Sequence, residues 1–377
     1  MKDYRIQFGA MEIDSRAKKH IDDIIESNWV SGGKKCTELE KKWGELFNYK
    51  HNVTMSNGTD ADIAACLVLY DKGAKRGDEI IAPALGFVAV GNSIMAAGFK
   101  PVFVDVERET MNINPNKIEE KITNKTKGIM AVHTMGKPCD LDAIMNISKS
   151  KNLYVIEDSC EAHGAKYNGK FIGSFGDVAT FSYFVAHLIS AGDGGMASTN
   201  NPEIYDILRS VKNHGRKPDE IFFDHVRHGS NFRLNEFTAA LALPQIDDFW
   251  NVFQQRKDNL NYLLNKTKDL EEYAIFNKEE VHEVTCPHAF SLTLRHPKFN
   301  YGALYNFLED SGIMCKRNFG SMPTQHKAFK FLGHELGEFP EAEYVGDNGL
   351  HFGIHNQLSK DDLNYVSDML HDYFKKF

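Results

Sequence analysis

His187 stands in an apolar run, Phe181-Ser182-Tyr183-Phe184-Val185-Ala186-His187-Leu188-Ile189, that leads into Gly192-Asp193-Gly194-Gly195. Imidazole takes up and returns protons near neutral pH. A histidine among apolar neighbours is also an ordinary core residue. The glycine-rich turn favours a catalytic reading, because it lets that backbone pass close to a bound molecule. Ser56-Asn57-Gly58-Thr59-Asp60 lies between a strand-like and a helix-like stretch. The free amides of a helix start attract a phosphate, while Thr59 or Asp60 could equally serve as a plain helix cap. Asp158 follows the apolar stretch 153–156. This placement sets a carboxylate at the carboxyl end of a parallel strand, the edge where open α/β sheets bind ligands. Such a group can keep a pyridine nitrogen protonated, or cap the next element together with Ser159.

The elements that position these residues alternate. Helical periodicity covers 17–27 and 37–47, and a short strand covers 52–55 before the apolar helix 61–70. Strands are expected at 79–82, 101–104, 126–132 and 153–157, with helical patterns at 88–97, 115–122 and 141–151 between them. Two more strands, 179–184 and 195–198, bracket the His187 loop. This alternation predicts an α/β fold with a mainly parallel sheet between helices. One long helix is expected over 234–268, then a strand at 290–294 and helices at 301–311 and 360–375. The change of pattern divides the chain into a large domain, 1–250, and a smaller α/β C-terminal domain, 251–377.

The 377 residues, 42% hydrophobic and 25% charged, suffice for a large core and two domains. Forty-four basic against 52 acidic residues give a net charge of −8, without a basic run. That balance argues against a nucleic-acid or membrane-surface partner. Residues 80–99 carry no charge, but Pro83, Gly86, Gly91, Asn92, Ser93 and Gly98 break them. They read as a buried strand, turn and helix, and no membrane span is expected. Cys36, Cys66, Cys139, Cys160, Cys286 and Cys315 are scattered without zinc or iron–sulfur spacing. With no signal-peptide-like start, a cytoplasmic protein with reduced thiols is expected.

In order and spacing these segments resemble the sugar aminotransferase and dehydratase family (DegT/DnrJ/EryC1/StrS type) of fold-type-I enzymes that use pyridoxal 5'-phosphate (PLP). The resemblance spans nearly the whole chain. It runs through Ser27-Asn28-Trp29-Val30-Ser31-Gly32-Gly33, 56–60 and Gly77-Asp78-Glu79-Ile80-Ile81-Ala82-Pro83. It continues in Pro101-Val102-Phe103-Val104-Asp105, Glu157-Asp158-Ser159-Cys160-Glu161-Ala162-His163-Gly164 and Gly229-Ser230-Asn231-Phe232-Arg233. Position by position, the resemblance implies that Gly58, Thr59 and Ser182 hold the cofactor phosphate, with Asn231 reaching it from a neighbouring subunit. It also implies Phe87 on the ring face, Asp158 at the pyridine nitrogen and Glu161 near the phenolic oxygen.

The family's cofactor lysine is replaced here by His187, which can move protons but cannot form a stable imine. That replacement, with Asn348-Gly349-Leu350-His351-Phe352-Gly353-Ile354-His355, resembles the 3-dehydratases of nucleotide-linked 4-keto-6-deoxyhexoses. GDP-4-keto-6-deoxymannose is the expected substrate, PLP and its pyridoxamine form the cofactors, and glutamate the amino donor. Leu188 and Gly192-Asp193 depart from that branch, where a second histidine and a Met-Glu or Ile-Glu pair are usual. An iron–sulfur reductase partner is not expected, because the cysteine cluster of reductase-dependent dehydratases is missing. Lys212, His214, Arg216, Arg233 and Lys316-Arg317 are candidate diphosphate contacts, with His214 and Arg233 favoured. The resemblance further implies a homodimer with active sites at its interface and a role in deoxysugar biosynthesis. Two alternatives stand beside this reading: an aminotransferase with an atypical histidine, and a non-catalytic sugar-nucleotide-binding homologue.

Overall fold

The computed structural model describes residues 3–11, 13–221 and 223–376. Its strands are β1 (His51–Met55), β2 (Glu79–Pro83), β3 (Lys100–Val104), β4 (Thr126–Val132) and β5 (Tyr154–Asp158). There follow β6 (Lys166–Tyr167), β7 (Lys170–Phe171), β8 (Val178–Ser182), β9 (Gly195–Thr199) and β10 (Ala274–Phe276). The last are β11 (Glu283–Val284), β12 (Ala289–Leu294), β13 (Cys315–Arg317) and β14 (Gly349–Gly353).

The large sheet has seven strands in the order β1-β9-β8-β5-β4-β2-β3. Strand β9 runs antiparallel to β1 and β8, whereas β8, β5, β4, β2 and β3 pair in parallel. Strand β2 is buried along its whole length, and β4 and β5 nearly so. Such runs suit central strands covered by helices on both faces.

Helices α1 (Ser15–Ser27) and α2 (Lys34–Phe47) precede β1, and α3 (Gly58–Asp71) follows it. Helix α3 is apolar on nearly every side, as a helix enclosed by protein must be. It packs on β8, β9 and helix α4 (Ala89–Ala96). Helices α5 (Leu141–Lys151) and α6 (Pro202–Lys212) complete this part. Residues 115–122 form two short 3₁₀ turns, Pro115–Lys117 and Glu119–Lys121, rather than one α-helix. Pro115 opens the first turn, and the chain turns extended again at Ile122.

The expected helix 234–268 is two helices, α7 (Glu236–Asp247) and α8 (Phe249–Lys266). Pro244 inside α7 has no amide to donate, and the helix ends four residues later at Asp248. Strands β10, β12, β14 and β13 form a separate antiparallel sheet, β10, β13 and β14 being elements that periodicity did not reveal. Its apolar cluster includes Leu260 and Leu263 of α8, Leu292 and Phe352 of the strands, and Ile6 from the chain start. Ile6 pairs with Ile313, so the first residues lie along this C-terminal sheet and carry Phe8 toward the cavity. Among the described residues no helix is long and apolar enough to cross a membrane.

Candidate active site

A cavity of about 990 Å³ opens at the carboxyl ends of the parallel strands, a size suited to a cofactor with part of a substrate. Gly58, Thr59, Phe87, Asp158, Glu161, Ser182 and His187 all line it. Residues from the C-terminal part complete the wall: His288, Lys316, Arg317, Phe319, His326 and His351.

The turn after β1 delivers the start of α3 to the cavity. Asn57, not Thr59 or Asp60, is the helix cap; its Oδ1 accepts from the Asp60 amide at 2.8 Å. The first amides of a helix have no intrahelical acceptor, and Gly58 and Thr59 supply theirs beside the Ser182 hydroxyl. A Cβ at Gly58 would fall 2.7 Å from the Ser182 Cβ and 3.0 Å from the Cys160 Sγ. Glycine is therefore what lets this helix start and Ser182 share one small cradle. Amides, hydroxyl and helix dipole together match a phosphate.

Asp158 ends β5, with β4 and β8 running parallel on either side. It is 7% exposed and its Oδ1 accepts from the Cys160 amide at 3.1 Å, so it also caps the following turn. Burial raises its carboxyl pKa. Asp62 on α3 is 1% exposed and accepts from the Thr180 hydroxyl at 2.6 Å. Burial first, then the charge of Asp158, push the Asp62 carboxyl well above the usual range. Asp62, Asp158 and Cys160 bring ligand-capable atoms within 4.8 Å of one another. Burial and proximity both disfavour the two carboxyls being charged together.

The loop between β8 and β9 folds back on itself. The Tyr183 amide donates to the Gly194 carbonyl at 2.9 Å, and the Ala191 amide to the Tyr183 carbonyl at 2.8 Å. Gly194 has φ +120°, and a Cβ there would meet the Tyr183 ring at 2.9 Å. The His187 amide bonds back to the Phe184 carbonyl at 2.9 Å, which sets the side chain at the cavity wall. Its Nδ1 is buried without a partner. Burial, then the positive Arg256, lower its pKa to about 3, so the ring is a neutral base at pH 7. Lys316 is the lysine that lines this cavity, and its ammonium lies 4.3 Å over the Phe8 ring.

Arg256 on α8 is a residue that sequence reasoning missed. It is 4% exposed, has no carboxylate partner among the described residues, and bonds main-chain oxygens through its two Nη atoms, while Nε is buried without a partner. Nη2 donates to the His288 carbonyl at 2.6 Å and the Ala186 carbonyl at 3.4 Å, and Nη1 to the His187 carbonyl at 3.4 Å. Burial lowers its pKa to about 10, which leaves it charged at neutral pH.

His288, also missed, stands immediately before β12 with its ring centroid 5.3 Å from that of His187. Its Nε2 lies 3.6 Å from Glu161 Oε1, while Glu161 Oε2 accepts from the Met135 amide at 2.7 Å. Burial, reinforced by Asp158, pushes the Glu161 carboxyl up to about 8. Glu161 is thus an acid at neutral pH beside a neutral imidazole.

The remaining predicted residues separate. Arg317 lines the cavity and pairs with Asp347 at 2.6 Å. His214, Asn231 and Arg233 are exposed and lie outside the cavity lining of their own chain, with Arg233 Nε donating to Asn231 Oδ1 at 2.8 Å. Lys212 pairs with Glu40 at 3.3 Å, and Arg216 donates to the Glu220 carbonyl at 2.7 Å.

The DegT/DnrJ/EryC1/StrS aminotransferase family model matches residues 11–371. A GDP-perosamine synthase from Caulobacter vibrioides is 36% identical over 379 residues, covering 96% of each chain. A GDP-4-keto-6-deoxy-D-mannose 3-dehydratase from Yersinia pseudotuberculosis is 31% identical, covering 91% of this chain and 92% of its own. The E. coli GDP-4-keto-6-deoxy-D-mannose-3-dehydratase structure, which holds hydrated PLP, superposes with a TM-score of 0.89 at 27% identity. It covers 98% of this chain and 100% of its own.

Proposed function

The chain belongs to the DegT/DnrJ/EryC1/StrS aminotransferase family of PLP-dependent, fold-type-I enzymes, and from that premise we propose that it is a sugar-nucleotide 3-dehydratase. It removes the carbon-3 hydroxyl of a nucleotide-linked 4-keto-6-deoxyhexose, GDP-4-keto-6-deoxymannose being the first choice. One observation carries this reading. His187, in the loop that the resemblance matches to the family's cofactor lysine, is a neutral imidazole on the cavity wall with an unpartnered Nδ1.

The residues fit the cofactor. Gly58, Thr59 and Ser182 form the phosphate cradle, Phe87 supplies a ring face, Asp158 holds the ring nitrogen, and Glu161 faces the phenolic side. When bound, the cofactor supplies an electron sink for bonds broken next to its amino group. Glutamate would be the amino donor, leaving as 2-oxoglutarate. His187 would be the proton carrier of the site, taking a proton from the carbon beside the amino group and returning it to the C3 hydroxyl, which would leave as water. Ammonia is released on hydrolysis of the freed sugar enamine. Lys316 and Arg317 stand at the cavity wall for the substrate diphosphate. Asn231, His214 and Arg233 are assigned to the neighbouring subunit's site in a homodimer. Residues 1–250 carry the cofactor cradle, and the smaller unit 251–377 supplies the opposite wall. We place the enzyme in the cytoplasm, in deoxysugar biosynthesis.

The second reading is an aminotransferase, favoured by the 36% identity to a GDP-perosamine synthase. Borohydride reduction of the PLP-loaded protein separates the two. The dehydratase reading expects no reduced cofactor on any lysine. A labelled lysine, Lys316 being the one within the cavity, would give the aminotransferase reading its missing imine.

A further inference from the structure

A loop without a cofactor lysine changes more than the fate of the product. An amine that meets a lysine-bound cofactor exchanges one C=N bond for another. An amine that meets a free aldehyde must expel the carbonyl oxygen as water, and that oxygen leaves only when protonated. We propose that Glu161 and His288 form the acid couple for this condensation, with Glu161 giving the proton and His288 returning it. The inference rests on the reading of His187 as the residue in the lysine's place.

The geometry supports a division of labour. Glu161 Oε2 is occupied by the Met135 amide at 2.7 Å, so Oε1 is the oxygen left to carry a proton. Oε1 faces His288 Nε2 at 3.6 Å. The opposite ring nitrogen of His288, Nδ1, is buried with no partner. Arg256 pins the backbone of His288 at 2.6 Å and that of His187 at 3.4 Å. Glu161, His288 and His187 therefore line one cavity side by side, fixed by bonds that consume none of their reactive atoms. Burial raises the Glu161 pKa to about 8, which supplies the protonated form in neutral solution.

The proton balance closes without an outside reagent. As the new nitrogen–carbon bond forms and the carbon–oxygen bond breaks, the oxygen leaves as water with one proton from Glu161 and one from the amine nitrogen. The second nitrogen proton passes through His288 to Glu161 and restores the acid.

The test uses the PLP-loaded protein and 2-methylglutamate, which has no hydrogen on its amino carbon and therefore condenses without the later proton removal at carbon. Stopped-flow absorbance of the cofactor reads the condensation rate, and no sugar is present. Glu161→Gln and His288→Gln should each slow it about a hundredfold, while the double variant should be no slower than the slower single one. Glu161→Asp should recover part of the rate, and PLP affinity reports whether each variant has kept its site. Wild-type rates in Glu161→Gln, or multiplying losses in the double variant, would overturn the couple. A borohydride-trapped lysine in the wild type would instead remove the premise about His187.

Discussion

Arg256 and His187 are joined through the main chain. Arg256 Nη1 donates to the His187 carbonyl at 3.4 Å, and the same guanidinium holds the His288 carbonyl at 2.6 Å. One buried cation thereby fixes two imidazoles and, through its charge, disfavours a proton on His187. A buried charge is costly unless bonded; here backbone oxygens bond the two Nη atoms, while Nε is buried without a partner.

Replacing Arg256 by Met should therefore act twice. Each carbonyl left without its donor costs about 1–3 kcal/mol, which thermal unfolding would register. The sign of the pH effect follows from His187 acting as a neutral base. Activity falls as pH drops through its pKa, which burial and Arg256 hold near about 3. Without Arg256 that pKa rises, so the acid limb of the glutamate half-reaction should move to higher pH. An unmoved limb would remove Arg256's charge from the account.

Gly58→Ala probes the phosphate cradle. The added methyl would meet Ser182 Cβ at 2.7 Å and Cys160 Sγ at 3.0 Å, so the helix start must shift. Overpacking of this kind costs about 1–3 kcal/mol. PLP affinity, measured by fluorescence titration, should fall roughly tenfold or more on that scale, with the loss seen for pyridoxal phosphate and not for free pyridoxal.

Much of the site was legible because it is local. Gly58, Thr59, Asp158, Ser182 and His187 each sit where a strand gives way to a turn, and such junctions show in a single stretch of sequence. Arg256 and His288 were not legible. Arg256 lies 69 residues from the loop that it holds, on a helix where a basic residue reads as solvated surface. Asp62 was hidden in the same way, inside an apolar helix with no motif of its own. The expected helix 234–268 concealed its break because periodicity continues across Asp248, and Pro244 alone signalled the end. His214 and Arg233 lie outside the lining of their own cavity, and a basic side chain in a loop carries no sign in sequence of which site it serves.

Asp158→Asn should weaken PLP binding and slow cofactor conversion by glutamate about a hundredfold or more, since a neutral amide cannot keep the ring nitrogen protonated. Absorbance of the cofactor during a single turnover checks this. Near-normal conversion would take Asp158 out of the site.

His187→Lys should gain a borohydride-reducible cofactor adduct on the peptide containing Phe184 and Ala186. It should also lose most dehydration, because an amine that recaptures the cofactor competes with release of the deoxygenated sugar. Full dehydratase turnover in this variant would contradict the role given to His187.

The central claim is tested most directly by mass spectrometry of the products formed from PLP, glutamate and GDP-4-keto-6-deoxymannose, with ammonia assayed alongside. The account predicts a sugar nucleotide that has lost the carbon-3 oxygen and contains no new nitrogen, with one ammonia released per turnover. An amino sugar that keeps its carbon-3 hydroxyl, formed without ammonia, would contradict it and make the enzyme an aminotransferase.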